Sequence, residues 1–234
     1  MITLKPIISP EIFTLAPDFR AISINVQASS LINADVGKQA LQQACIDHLH
    51  APAPWTEAHL QSWAEVFQKF GAKPKRTPCS AAALIKRVIK DGSLPSIDPI
   101  VDLYNAVSIR YAVPVGGENS LAYQGSPQLD IATGQENFDT MKEGEPASES
   151  PEKGEVIWHD DVGVTCRRWN WRQGIRTRLS IENSSMWFIL ESLSSMPLDQ
   201  LEQAATMLTT GIQAMMPDAV IQQEFLDINT QPKG

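Results

Sequence analysis

Hydrophobic residues recur every three to four positions in much of the first half of the chain, a spacing that predicts amphipathic helices. The predicted helices cover residues 35–50, 57–70, 80–91, 99–111 and 198–216. Asp98 followed by Pro99 predicts the start of the fourth helix, with the acid as N-cap and the proline in the first turn. We expect residues 1–19 to be extended, because they contain three prolines.

Alternating apolar and polar residues predict short strands, mainly in the second half of the chain. The predicted strands are 20–27, 128–132, 155–160, 164–172, 176–182, 186–193 and 219–226. Residues 139–154 are acidic and rich in Pro, Gly and Ser, so we expect an exposed, mobile loop there.

Composition places the chain among ordinary globular proteins: 43% of its 234 residues are hydrophobic and 20% are charged. It shows no signal-peptide pattern and no apolar run long enough to cross a bilayer. Three widely spaced cysteines fit buried thiols in a reducing compartment, so we expect a cytoplasmic protein. The spacing of the histidines and cysteines predicts no metal site, and phosphate-binding glycine motifs are absent, so no cofactor is expected.

A net charge of -8 argues against general coating of nucleic acids, which requires many cations to neutralise phosphates. A local basic patch is still compatible with this charge. Ten acids lie between Asp130 and Asp161, whereas Lys73, Lys75 and Arg76 form a short basic cluster. That cluster is either a solvated loop or a contact for an RNA backbone.

The segment 158–178 holds three of the six tryptophans and five of the nine arginines. As a strand, residues 166–173 would direct alternate side chains to opposite faces. One face then carries Cys166, Arg168, Asn170 and Arg172, and the other carries Arg167, Trp169, Trp171 and Gln173. Such arginines bind anions, and tryptophans stack on bases. Alternatively, the tryptophans fill the core and the arginines neutralise nearby acids, such as Asp160 and Asp161.

A second candidate element is Gly116-Gly117-Glu118, just after the helix 99–111. Two glycines allow a ligand to approach the backbone closely and expose amide donors beside a carboxylate. The alternative is a turn without a function. Asn105 and Ser108 lie three residues apart on the preceding helix, so they can point together at a pocket or at water.

Two stretches resemble a known family. The runs PIVDLYNAVSIRYAVPVGGEN and RRWNWRQ, with RTRLSIENSS after the second, are similar to the tRNA-editing domain of the bacterial phenylalanyl-tRNA synthetase beta subunit. The similarity covers about residues 73–193 and is closest to free-standing relatives of that domain. It implies an α+β fold with a partly open antiparallel β-barrel or sheet layers packed by helices. Residues 73–234 would form the editing-like domain, and residues 1–72 an α/β portion packed on it.

The resemblance also implies a pocket that accepts the aminoacylated 3′ end of tRNA and hydrolyses the ester of a wrongly attached amino acid. The family's proline turn corresponds to Pro114 through Glu118, and its late active-site strand to Arg168 through Gln173. The polar turn after that strand corresponds to Glu182 and Asn183. The synthetase domain has a histidine after the proline turn, where this chain has Gly116.

Ester hydrolysis requires a base for the attacking water and donors for the oxyanion. Glu118 is the candidate base, with the vicinal ribose hydroxyl of the substrate as an alternative. The oxyanion donors would be Gly116, Gly117 or Arg168. The remaining substrate contacts would come from Asp160 or Asp161 to the α-ammonium group, Arg168 and Arg172 to phosphates, and Trp169 or Trp171 to the terminal adenine.

Two other classes of function stay open at the level of the sequence. The protein could be a non-catalytic module that binds an aminoacyl-tRNA 3′ end, an amino acid or another small carboxylate, and the missing histidine favours this. It could also be an interaction protein whose tryptophan-rich segment is an interface. No membrane partner is expected. A GxSxG motif is absent, and Cys166 fits a buried thiol better than a nucleophile.

Overall fold

The predicted helices form in the computed structural model, which describes residues 2–28 and 30–231. The helices are α1 (Pro10–Leu15), α2 (Asp35–His50), α3 (Thr56–Lys69), α4 (Ser80–Asp91), α5 (Pro99–Tyr111) and α6 (Leu198–Met215). The carboxylate of Asp98 caps α5 as predicted and accepts the N–H of Ile100 at 2.9 Å. Helix α1 corrects the expectation of an extended N-terminus, because Pro10 occupies the first turn, where no helical N–H is needed.

The strands form two sheets. They are β1 (Ile7–Ile8), β2 (Arg20–Gln27), β3 (Val115–Asn119), β4 (Gln128–Ile131), β5 (Phe138–Lys142), β6 (Glu145–Glu149), β7 (Val156–His159), β8 (Val164–Arg167), β9 (Arg172–Gln173), β10 (Ser185–Ser192) and β11 (Val220–Leu226). The first sheet is mixed, in the order β1-β4-β7-β8-β5-β6, with β9 paired to β8. The second sheet is antiparallel, in the order β11-β2-β10-β3. Neither sheet closes into a barrel within the described residues. The fold is α+β, with sheet layers packed by helices, as expected.

Three predicted segments differ from the structure. Residues 164–172 are not one strand, because the chain reverses after β8 and returns as β9. Residues 176–182 form turns, with one isolated bridge between Arg178 and Glu118. The segment 139–154 contains most of a hairpin of β5 and β6, whose side chains are largely exposed. Strand pairing, which local composition does not reveal, accounts for the first and third differences.

Strand β10 is the centre of the core, and all eight of its residues are buried. Its alternating side chains enter two different clusters. Met186, Phe188 and Leu190 pack with residues of α5 and α6. Trp187 and Ile189 face the other way, into a cluster that also contains residues of α1, α3 and the first sheet. Residues on this second face of β10 are therefore positioned between the sheets.

The N-terminal part of the chain contributes an interior strand to the second sheet. Strand β2 lies between β11 and β10, and it pairs with β10 over residues 20–27 and with β11 over residues 21–27. The division of the chain at residue 72 stays a prediction. None of the helices in residues 2–28 and 30–231 has the length and apolar character required to cross a membrane.

Candidate functional site

A cavity of about 280 Å³ lies at the β3 edge of the second sheet. Helices α4 and α5, strands β3 and β10, and the β8–β9 hairpin all contribute to its wall. The lining residues are Ser80, Ala83, Leu84, Tyr104, Asn105, Val115, Gly116, Gly117, Glu118, Trp158, Cys166, Trp169, Asn170, Trp171, Gln173, Trp187, Ile189 and Glu191. Four tryptophans and two glutamates in one small cavity give it an aromatic wall with an acidic character.

The two glycines of the predicted bend lie within β3 and pair with β10, which corrects that expectation. A Cβ at Gly117 would lie 2.9 Å from Cε1 of Tyr104 and 3.0 Å from Cε1 of Phe188. At Gly116 it would lie 3.2 Å from Cγ2 of Ile189. Gly117 is therefore needed for the close packing of β3 against α5 and β10, rather than for a turn.

The pairing of β3 decides which glycine amide faces away from the sheet. Glu191 N–H donates to Pro114 O, and hydrogen-bonded pairs alternate along an antiparallel ladder. Gly116, two residues after Pro114, therefore directs its N–H at β10. Gly117 directs its backbone polar groups to the outer edge, where its carbonyl accepts from Gln173 Nε2 at 3.0 Å. Of the two predicted oxyanion donors in β3, only the Gly117 amide points away from β10.

Glu118 lies in the cavity wall and is 5% exposed. Gln173 Nε2 donates to its Oε1 at 3.1 Å, and the Tyr123 hydroxyl donates to its Oε2. Burial raises the pKa of Glu118 to about 8, although the hydrogen bond from Gln173 opposes the shift. Most Glu118 side chains are therefore protonated at neutral pH, and they ionise as the pH rises through about 8.

The turn between β8 and β9 places three predicted residues in the cavity. Arg168 and Trp169 have left-handed backbone conformations, with φ of 47° and 65°. Trp169 N–H donates to Val156 O at 2.7 Å, and the buried ring packs edge-on against Trp63 and Phe19. The reversal places Trp169, Asn170 and Trp171 in the cavity wall, although alternation along one strand would have separated Asn170 from the two tryptophans.

Glu191 was not predicted as a site residue, and its carboxylate lies at another part of the cavity wall. It accepts N–H bonds from Trp158 (3.0 Å), Trp169 (2.9 Å) and Asn170 (3.0 Å). No ion pair to Glu191 is formed within the described residues. Burial raises its pKa to about 7, and the three donors oppose that shift. A charged residue within the apolar run 186–193 was the signal in the sequence, because burying a carboxylate is costly.

Two polar atoms of the cavity wall have no partner among the described residues. They are Oδ1 of Asn170 and Oγ of Ser80, which lies in the first turn of α4. Asn170 as a whole is 8% exposed. The amide nitrogen of Asn170 already donates to Glu191, which fixes the orientation of its oxygen. A ligand with a hydrogen-bond donor would satisfy that oxygen.

Several arginines of segment 158–178 pair with acids of the protein. Arg167 binds Glu155 bidentately at 2.9 and 2.8 Å. Arg168 lies 3.7 Å from the same carboxylate and 4.7 Å above the ring of Trp171. Neither Arg168 nor Arg172 lines the cavity, and Arg172 instead donates to the carbonyl of Met141. This corrects the expectation that these arginines hold phosphates within the pocket.

Asp160 also lies outside the cavity wall. Its carboxylate receives two bonds from Arg176, at 2.7 and 2.9 Å, together with several backbone N–H groups. These hydrogen bonds outweigh burial and keep the pKa of Asp160 below its usual value. Asp161 is exposed and lies against Gly125. Neither aspartate is positioned to bind an ammonium group in this cavity.

Two further predicted residues lie elsewhere. Ser108 is buried one turn after Asn105 and does not line the cavity. Asn183 closes a turn, in which its Oδ1 accepts the N–H of Ser180 at 2.8 Å.

Cys166 does line the cavity, but burial and the nearby Glu118 and Glu191 carboxylates raise the pKa of its thiol well above its usual value. A thiolate nucleophile is therefore disfavoured at neutral pH.

Sequence reasoning also missed Trp158, Trp187, Tyr104 and Ser80 as lining residues. Trp187 lies directly opposite Glu118 in the β3–β10 register, a relationship that only strand pairing reveals. Among the residues described by the structure, no group of three or more His, Cys, Asp or Glu side chains could hold a metal ion.

Comparison with known proteins places this geometry in a family context. A family model described as the B3/4 domain matches residues 62–211, more than half of the chain. The matched range includes every residue that lines the cavity. A search among curated proteins found no match to the chain.

Proposed function

The chain belongs to the B3/4 domain family, and from this premise we propose that it hydrolyses the ester bond of a mischarged aminoacyl-tRNA in trans. This family is that of the editing domain of the phenylalanyl-tRNA synthetase beta subunit, so membership indicates a tRNA-related function. The finer assignment, hydrolysis rather than binding alone, is supported by the chemistry of the cavity.

The charge of the cavity favours an aminoacyl ester over a free amino acid. Its wall contains two buried glutamates, Glu118 and Glu191, and no lysine or arginine. A free amino acid carries a carboxylate, for which this wall provides no cation, whereas an esterified amino acid keeps only its positive ammonium group. This acidic wall is the main support for an aminoacylated RNA end as the ligand.

Asn170 and Glu191 are the proposed ammonium-binding residues. The Asn170 Oδ1 atom lacks a partner, and the adjacent Glu191 carboxylate provides the opposite charge. An ammonium group that donates to Asn170 would also lower the pKa of Glu191, because a nearby cation favours the ionised carboxyl. The surrounding tryptophans would pack on the apolar part of the amino acid.

Glu118 is the proposed general base. When ionised, it takes a proton from a water molecule as the water oxygen bonds to the ester carbonyl carbon. The carbonyl oxygen gains negative charge, and the Gly117 N–H is the proposed donor to it. The C–O bond to the ribose then breaks, and the proton passes from Glu118 to the departing ribose oxygen. The products are a free amino acid and a tRNA with an intact 3′ terminus.

The pKa of Glu118 suits this role. A general base works best when its pKa lies near the working pH, because it is then both available and sufficiently basic. With a pKa of about 8, on the order of one tenth of the Glu118 carboxyls are ionised at pH 7. Gln173 donates to one carboxylate oxygen and Tyr123 to the other, so both oxygens of the proposed base are held in place.

The alternative function is a binding module for an aminoacyl-tRNA 3′ end. The presence of Gly116 where the synthetase domain has a histidine favours it, because an imidazole is missing from the cavity. Protonated Glu118 could then donate a hydrogen bond to the ester carbonyl without promoting attack by water.

A direct test incubates the protein with tRNA charged separately with each of the twenty amino acids and measures both cleavage and binding. We expect one or a few esters to be cleaved, and the Glu118→Gln variant to bind these tRNAs while cleaving them at least ~100-fold more slowly. Glu202→Gln, an exposed change on α6, is the matched control. Binding of charged tRNA without cleavage above the spontaneous rate would reject hydrolysis and support the binding module.

A further inference from the structure

A basic segment of the surface, defined as residues 73–90, is not used by the chemistry described above. It contains six cations and no acid, in a chain whose net charge is -8. The six are Lys73, Lys75, Arg76, Lys86, Arg87 and Lys90. The remainder of the chain therefore has a net charge of -14, which is -8 minus +6. Positive charge is thus concentrated on the loop before α4 and on α4 itself.

All six side chains of the basic segment are exposed. Lys90 lies 3.8 Å from Asp91, and this is the one ion pair that the six form with described residues. Exposed pairs of this kind contribute little. By contrast, Arg167, Arg168 and Arg176 in the later hairpin region pair with acids. The basic segment is therefore a cluster of cations that are available to an external anion.

Helix α4 joins the basic segment to the cavity. Ser80, Ala83 and Leu84 line the cavity, and Arg87 follows on the same helical stripe one turn after Leu84. Lys73, Lys75 and Arg76 precede the N-terminal end of that stripe. Because α4 is about 18 Å long, a nucleic acid strand running along it would place about five phosphates within reach.

We propose that the basic segment binds the phosphate backbone of the RNA strand whose aminoacylated end enters the cavity. This inference rests on the proposed function for the identity of that strand. The cavity wall offers two carboxyl groups to the ammonium group and no cation to a phosphate, whereas the basic segment beside it attracts phosphates. The two surfaces together orient the RNA with its terminal amino acid inward. Backbone contacts of this kind position a strand without reading its sequence.

Binding of an acceptor-stem RNA hairpin with a single-stranded CCA end tests this inference. Fluorescence anisotropy would compare the full-length protein with a variant carrying Lys73→Ala, Lys75→Ala and Arg87→Ala, across a range of salt concentrations. A control carries Lys5→Ala, Lys38→Ala and Lys142→Ala, three exposed lysines on elements that do not line the cavity. We expect the first variant to bind at least tenfold more weakly, with a salt slope smaller by about 2 to 3. The control should bind like the unmodified protein.

An aminoacyl-adenosine ester separates this surface from the chemistry of the cavity. That substrate has no phosphate, so the Lys73, Lys75 and Arg87 changes should leave its cleavage within twofold while cleavage of charged tRNA falls. Thermal unfolding checks that the triple variant is folded. In RNA binding, Arg87→Ala alone should reduce the salt slope by about one. Because the RNA hairpin is not aminoacylated, its binding can be measured even if the protein hydrolyses no ester.

Two results would overturn the inference. The first is equal loss of RNA binding in the basic-segment variant and the control, which would indicate a general effect of charge. The second is binding of a polyglutamate peptide as tightly as the RNA hairpin, lost in the same variant, which would identify an acidic protein as the partner. Loss of RNA binding in the basic-segment variant alone would support the inference, whether or not any ester is cleaved.

Discussion

The Gln173 side chain holds Glu118 in place by donating to its Oε1 atom at 3.1 Å, while the same nitrogen donates to Gly117 O at 3.0 Å. Gln173 lies on β9 and Glu118 on the edge strand β3, so this contact joins the two sheets at the cavity. One amide group thereby fixes both the proposed base and the backbone beside the proposed oxyanion donor.

Gln173→Ala should lower kcat by about 10- to 100-fold with a smaller effect on KM, because Glu118 loses the group that orients it. The hydrogen bond from Gln173 also lowers the pKa of Glu118, so its loss should move the pH–rate profile to higher pH. Steady-state kinetics at several pH values measure both effects. Gln61→Ala, on the exposed face of α3, is the control and should change neither.

Stability should fall as pH rises from 5 to 8. The pKa values of Glu118 and Glu191, about 8 and about 7, lie above their ordinary value of 4.5, so the folded protein holds protons that the unfolded chain releases. The free energy of unfolding should decrease by about 1.4 kcal/mol per pH unit for each carboxyl protonated only in the folded state.

Urea unfolding of Glu118→Gln over the same pH range checks that prediction. The variant should lose the contribution of one carboxyl and show a flatter dependence, whereas Glu202→Gln should parallel the unmodified protein. Equal slopes in all three proteins would mean that the Glu118 carboxyl is already ionised in the folded state.

Trp169→Phe should destabilise the protein by about 2 kcal/mol, because the buried Glu191 carboxylate loses one of its three N–H donors. The cost should grow as pH rises and Glu191 ionises. Trp55→Phe is a matched control, since the Trp55 indole donates to a neutral carbonyl, that of Tyr111, at 2.8 Å. We expect it to cost about 1 kcal/mol, with little dependence on pH. Chemical denaturation at pH 6 and pH 8.5 distinguishes the two variants.

Binding of a cationic ligand should release protons. A 3′-amide analogue of an aminoacyl-adenosine keeps the ammonium group but resists hydrolysis, and at pH 7 it should promote ionisation of the protonated carboxyls that line the cavity. Calorimetry in phosphate and Tris buffers, whose ionisation enthalpies differ, should give different observed enthalpies. The N-acetylated analogue has no positive charge and should show no such difference. An equal buffer effect for both analogues would exclude ammonium binding near the glutamates.

Helices α2 to α6 were predicted from the sequence, because helices depend on local spacing and caps, whereas the short helix α1 was missed. Helix α5 begins after Asp98 and ends at Tyr111, as the sequence indicated. The hairpin at Arg168 and Trp169 was not predictable in the same way. Left-handed conformations usually require glycine or asparagine, and neither arginine nor tryptophan signals one. Burial of the Trp169 ring and two backbone contacts impose this conformation, and these depend on the rest of the fold.

The candidate site was predicted in part. Glu118, Asn105, Trp169, Asn170 and Gln173 are brought to one cavity, together with the two glycines and Trp171. The arginines and Asp160 are not, because ion pairs within the protein occupy Arg168 and Asp160. A linear sequence shows that acidic and cationic residues are near each other in the chain, but it does not show which of them form ion pairs. Glu191 required the β10 register to place it in the wall.

The most direct test of the central claim is the rate of ester hydrolysis by the unmodified protein and by Glu118→Gln between pH 6 and pH 9.5. Single-turnover experiments with a cleaved aminoacyl-tRNA, corrected for spontaneous hydrolysis, give this rate. Glu118 as the base predicts a rate that rises about tenfold per pH unit below pH 8 and then levels off, because the pKa of Glu118 is about 8. Glu118→Gln should be at least ~100-fold slower throughout. An unchanged rate and pH profile in Glu118→Gln would contradict the assignment of Glu118 as the base.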